Sequence, residues 1–216
     1  MGVYNKNMPK QTFLNLPEEK RNAFIEIALD EFANNDYNNA SVSKIVETAG
    51  IAKGSVYQYF EDKQDMFMYL LDVANKEMMT HIMGTPPPAL DADFFQTLRW
   101  QMSATVQAAV KFPVHAKLAR RAYSSPLPFR DEIFEKAKKT REQHFQALIA
   151  QAQAKGSLSP KLDPAVVSFM VNGLMSDLGP FLQSKFAKRK GDWIQLPAVR
   201  EIFDQVIEIL KNGLGK

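Results

Sequence analysis

The stretch Ala40-Ser-Val-Ser-Lys-Ile-Val-Glu-Thr-Ala-Gly-Ile-Ala-Lys-Gly-Ser-Val-Tyr-Gln-Tyr-Phe-Glu-Asp-Lys63 decides the fold. Ser41 is a natural N-cap, because its hydroxyl can accept a free N–H of a helix's first turn. Val42, Ile45, Val46 and Ala49 then fall on one stripe, and Gly50 can take the left-handed backbone that closes a helix. After Ile51 and Ala52 a second short helix opens at Lys53-Gly54-Ser55 and carries Val56-Tyr57-Gln58-Tyr59-Phe60. Val56 and Phe60, at i and i+4, should pack inward against Ile45, Val46 and Phe32. Two short helices across a Gly-containing turn make a helix-turn-helix.

Working outward, Leu16-Pro17-Glu18-Glu19 reads as a helix start: Pro suits the first turn, and carboxylates there complement the helix dipole. Phe24, Ile27, Ala28 and Phe32 follow on one apolar face. Asn34-Asn35-Asp36-Tyr37-Asn38-Asn39 ends this helix, because Asn and Asp favour turns and tolerate left-handed backbone. On the other side a longer helix runs from 63 to about 81, where Gly84-Thr85-Pro86-Pro87-Pro88 breaks it. Further helices are predicted over 91–112 and 113–122, and from beyond Pro128 to just before Gly156. Another opens at Pro164, with a kink or break at Gly179-Pro180, and the last starts near Pro197. No strand pattern, repeat or low-complexity tract interrupts the series. The expected fold is all-α.

Of the 216 residues, 45% are apolar and 24% charged, enough apolar surface to offset the entropy of chain ordering. There is no cysteine, which excludes disulfides, thiolate nucleophiles and Cys-bound zinc. The uncharged run between Asp163 and Asp177 falls short of the ~20 residues of a membrane span, so no membrane contact is expected. Met1-Gly-Val-Tyr-Asn-Lys has no apolar core of a secretory signal, so a cytoplasmic location is expected. The formal net charge is +3, yet the first 65 residues carry seven basic against ten acidic side chains. Nucleic-acid binding by this part requires its few cations on one face.

Catalytic patterns are missing. His81, His115 and His144 are scattered without metal-ligand spacing, and no G-x-S-x-G, P-loop or dinucleotide glycine pattern occurs. Gly213-Leu-Gly215-Lys216 is not such a pattern. No catalytic residue, metal or cofactor is expected, although an all-α enzyme with an unlisted motif stays open.

The run from Ala40 to Lys63, with Phe24, Ala28, Phe32 and Tyr37 before it, resembles the DNA-binding core of the TetR/AcrR family of bacterial repressors over residues 17 to 66. The resemblance implies a three-helix, helix-turn-helix DNA-binding domain over 1–62 and a helical ligand-binding and dimerisation domain over 63–216. It further implies double-stranded operator DNA as partner, a homodimer on a pseudo-palindromic site, and release by a small, largely apolar inducer. The DNA-facing residues it implies are Ser41, Ser43, Lys44, Lys53, Gly54, Ser55, Tyr57, Gln58, Tyr59 and Lys63. Lys53 starts the recognition helix, where side chain and dipole both favour an anion. Gly54 lets backbone approach DNA, and Ser55 and Tyr57 can reach base edges or backbone. Gln58, Tyr59 and Lys63 suit phosphates. Ser41 reads equally as a cap, and Tyr59 equally as the edge of a core. Three departures stand out. Ser43 replaces a common Arg, Lys44 stands where an acid would complete a capping box with Ser41, and Asn35-Asp36 replaces the first turn's glycine. A nucleoid or division factor on the same scaffold is the alternative function.

Ten of 15 Phe lie beyond residue 90. Most belong to a core, but an inducer cavity is lined by such side chains. Trp100, Met102, Phe112, His115, Tyr123, Phe145, Phe169 and Met170 are the expected lining, with His144 as a further polar contact and Trp193 as a second fluorophore. Met66, Met68, Met78, Met79 and Met83 suit a helix that re-seats, or simple gap filling. Lys111, Lys117, Arg120, Arg121, Arg130, Lys136, Lys138, Lys139 and Arg141 read as a solvated face. The Pro164 helix and the last helix are too apolar for water and are expected to pair with their copies, Gly173 allowing close approach.

Overall fold

The computed structural model describes residues 9–89, 91–186 and 196–212, without the side chains of 53, 134 and 136–144. Ten helices and no strand occur among the described residues. They are α1 (Gln11–Leu14), α2 (Glu18–Asn34), α3 (Val42–Thr48), α4 (Lys53–Tyr59), α5 (Lys63–Met83), α6 (Phe94–Lys111), α7 (Pro113–Ser124), α8 (Arg130–Ala154), α9 (Pro164–Phe186) and α10 (Pro197–Asn212). Trp193 and the terminal Gly213-Leu-Gly215-Lys216 lie outside the described residues, as do the side chains of His144, Lys136, Lys138, Lys139 and Arg141.

The chain divides into two compact units. One comprises residues up to Met78 together with Phe112–Ile133, the other Met79–Lys111 together with 134 onward. This division does not fall at the expected 62/63 boundary. The reason is α5, whose Met66, Phe67, Met68, Leu70, Leu71 and Ala74 are buried in the same core as the helix-turn-helix.

In the first unit, Phe13, Phe24, Phe32, Ile45, Val56, Phe60 and Phe67 build the core, joined by Leu118, Ala122 and Phe129 from the returning segment. α2 lies along α7. Arg121 clasps the end of α2, its Nε donating to the Ala33 carbonyl at 2.8 Å and its guanidinium pairing with Asp36. Lys117 Nζ donates to Asn34 Oδ1 at 2.6 Å. These two cations, read from the sequence as part of a solvated face, instead fasten the first turn. That turn differs in another way: Asn35 is extended (φ −120°, ψ 149°), and no described non-glycine residue has positive φ. An extended exit makes left-handed backbone unnecessary there.

In the second unit, α6 packs on α9 and α10. Its core holds Leu98, Met102, Ile149, Leu182 and Val199, all fully buried. Arg99 Nε reaches Asp204 Oδ1 at 2.5 Å across α6 and α10. α9 is not broken at Gly179-Pro180 but runs through to Phe186. Leu178, Leu182 and Phe186 are buried on both sides of the proline, and that packing holds the helix together. By length and apolar composition α9 could cross a membrane. Its inward face is instead part of this core, and it carries Asp177 and Lys185.

Candidate nucleic-acid interface

The start of α3 is set by Ser41, whose Oγ accepts the Lys44 N–H at 3.2 Å. Gly50, at φ 64°, closes α3, and α4 follows two residues later. Val56 and Phe60 face the core, as their spacing predicts. Outward stand Ser43, Gly54, Tyr57 and Gln58, with Ser55 half-buried beside them. Tyr57 is 54% exposed, unusual for so large a ring. Lys53 opens α4 by its backbone, while its side chain lies outside the described residues.

Gly54 has ordinary φ, and a Cβ built on it would meet nothing within 4 Å. Glycine inside a helix costs about 1 kcal/mol relative to alanine. Among the described residues nothing requires it here.

The far end of α4 is fastened by residues ahead of the first predicted helix. Helix ends leave carbonyls without partners. Lys10 Nζ donates to the Tyr57 carbonyl at 2.9 Å, Thr12 Oγ1 to that of Gln58, and Lys10 N–H to that of Tyr59 at 2.9 Å. Lys10 also pairs with Glu61 at 2.9 Å, placing a cation at the negative end of α4. Phe13 is wholly buried, its ring 5.1–5.6 Å from those of Phe24, Tyr59, Phe60 and Tyr69. Tyr59 is thus a core-edge residue. The four residues of α1 are too few to show an apolar stripe, and the lone Phe13 was the one available signal.

Glu31 is the second group missed. It is buried on α2 and divides its carboxylate: Oε1 accepts the Ser41 N–H at 3.0 Å, and Oε2 takes Lys44 Nζ at 2.7 Å. Burial pushes its carboxyl up, but the hydrogen bonds from Lys44 and Ser41 and the charges of Lys44 and Lys63 outweigh it. The carboxyl ends below its ordinary value. The bond to Glu31 raises the Lys44 ammonium in turn. Lys63 is engaged as well, its Nζ 3.3 Å from the Asn38 carbonyl and 4.7 Å from the Tyr37 ring centroid. Burial lowers its pKa, with Glu31 opposing. Two cations expected at phosphates therefore have partners within the chain.

The expected cavity residues fall in both units. Phe112, His115 and Tyr123 belong to the first unit, where His115 Nε2 sits 2.9 Å from Glu77. Trp100, in the second, donates its indole N–H to the Pro86 carbonyl at 2.7 Å. Met102 and Phe145 are core residues. Phe169 and Met170 are 78% and 54% exposed on α9. With Val166 and Phe181 they mark an outward apolar face of α9, on which Gly173 is bare. Apolar spacing identifies a helix stripe but not what covers it.

A family profile described as bacterial regulatory proteins, tetR family, matches residues 24–70, and one described as tetracyclin repressor-like, C-terminal domain, matches 92–215. A TetR family transcriptional regulator from Chloroflexus aurantiacus superposes with a TM-score of 0.80 at 38% identity, over 95% of this chain and 98% of that one. The probable acrEF/envCD operon repressor of Escherichia coli K12 is 24% identical over 73% of each chain. FadR of Bacillus subtilis, solved with stearoyl-CoA, has the same fold at 21% identity, with a TM-score of 0.68 over 89% of this chain and 98% of its own.

Proposed function

Because the chain belongs to the TetR family of bacterial transcriptional regulators, we propose that it is a homodimeric repressor whose two α4 helices enter successive major grooves of a pseudo-palindromic operator and leave when a small, largely apolar inducer binds. Gly54 is the observation that carries the DNA half. No described residue packs against this position, so we take the reason for a glycine there to be a surface that approaches the α4 backbone closely, as a phosphate strand does. The exposed face of Val166, Phe169, Met170 and Phe181 around Gly173 supports pairing of α9 with its copy. DNA binding is assigned to 1–62 and regulation to 63–216, and α5, whose Met66, Leu70 and Ala74 share the helix-turn-helix core, carries the signal between them. Such a regulator works in the cytoplasm.

Footprinting on the protein's own upstream region tests the first half. Two protected half-sites about one helical turn or a multiple apart are expected. Lys53→Ala weakens binding to all sequences and lowers the salt slope by about one, whereas Ser55 or Tyr57 substitutions change sequence preference. Equal affinity for upstream and random duplex would favour an architectural DNA binder. Sedimentation reads the dimer: Phe169→Glu yields monomers if α9 is the interface. Long-chain fatty acids are the first inducer class to try, with stearoyl-CoA, held by the FadR fold, as the larger and charged comparison. Titrated into free protein and into the DNA complex, an inducer must bind the two with different affinities, and about a hundredfold corresponds to ~2.7 kcal/mol of coupling. Equal affinities overturn the inducer reading.

A further inference from the structure

We propose that Glu31 is a positioning residue of the DNA-facing helix pair, and that it withholds the Lys44 charge from DNA. The proposal deepens the reading of α3 and α4 as the DNA-docking element and rests on it. At a helix start capped by Ser, an acid at the third helical position ordinarily reaches back to the cap's own N–H. Here that position is Lys44, and the missing acceptor arrives from α2: Glu31 Oε1 takes the Ser41 N–H at 3.0 Å. The cap is completed in trans, so the beginning of α3 is tied to α2 instead of to itself. The other oxygen closes on the Lys44 ammonium at 2.7 Å. Lys44 is well exposed beside Ser43 at the outward end of α3, where a cation would ordinarily be counted as a phosphate contact. Its charge is already matched. Among the described residues, Lys63 from α5 and Asp30 from α2 also bear on this pair.

Counterion release turns this into a measurement, since each cation that neutralises a phosphate adds about 0.9 to the salt slope of duplex binding. Affinity of the full-length protein for a non-operator duplex is measured across a salt series. Glu31→Gln keeps an oxygen for Ser41 but frees Lys44: the slope is expected to steepen by about one, with tighter binding at low salt. In Glu31→Gln/Lys44→Gln the slope returns to the starting value. An unchanged slope in Glu31→Gln overturns the proposal. A steepening that survives in the double variant does so too, because the lost acid and not the freed lysine would then be its cause. A wild type whose binding ignores salt would instead overturn the DNA reading. The positioning role is then read alone, from amide exchange at Ser41. Glu31→Ala accelerates that exchange about tenfold if the tie holds α3, while an unchanged rate overturns it.

Discussion

Replacing Phe13 by alanine tests whether the segment ahead of α2 is part of the DNA-facing element. The ring is wholly buried, with four aromatic neighbours at 5.1–5.6 Å, two of them Tyr59 and Phe60 at the end of α4. Truncating a buried Phe costs ~3–5 kcal/mol, through lost transfer energy and the cavity left behind. Domains are stable by only ~5–15 kcal/mol, so this is a large share. For a unit of about 100 residues each kcal/mol moves Tm by roughly 4–8 °C, so the loss is expected to lower the first unit's transition by at least ~12 °C. Far-UV circular dichroism at fixed protein concentration follows melting, and hydrogen exchange assigns it: amides of α2 to α4 lose protection, while those of α10 keep theirs. Phe13→Leu, which refills most of the volume, should cost under about 1.5 kcal/mol. A Phe13→Ala variant that loses less than about 1 kcal/mol and leaves α4 exchange untouched would refute the reasoning.

Gly54→Ala is expected to leave the fold as stable or firmer by up to ~1 kcal/mol, while weakening duplex binding in a gel shift; unimpaired binding would remove the reason given for the glycine. Thr12→Val deletes one donor to the last turn of α4 and should cost ~0.5–1.5 kcal/mol, read as faster exchange at the end of α4 and not in α6. The Glu31 carboxyl lies below its ordinary value in the folded protein, so its contribution is present above about pH 4.5 and lost as pH falls through the lower folded value. Glu31→Gln should therefore flatten the decline of first-unit stability below pH 4.5; an identical acid limb in both proteins would contradict the assignment.

What could be read from residues alone was what repeats or caps. α3 and α4 were legible because Ser41 and Gly50 mark ends that local chemistry enforces, and because Val56 and Phe60 lie one turn apart. Helix breaks at Pro86 to Pro88 and at Gly156 were legible for the same reason. Relationships across the chain were not. Nothing local says that Glu31 completes a cap ten residues away, or that Arg121 will close on Ala33 and Asp36. Of the kink or break expected at Pro180, the break does not occur, because a proline's local penalty is outweighed when both neighbouring turns are buried. Among the apolar candidates, Met102 went to the core and Phe169 to the surface, because α9 is apolar on more of its circumference than its own core can cover.

The returning segment bears on how the protein emerges from the ribosome. Leu118, Ala122 and Phe129 complete the core of the first unit, yet they are made only after residues 79–111, which belong to the other unit. At ~5–20 residues per second, synthesis from 79 to 133 takes roughly 3–11 s. Until Ser124 has been made α2 waits without α7, its apolar flank available to chaperones or to neighbouring nascent chains. The helix-turn-helix thus becomes secure only after Phe129 has been made.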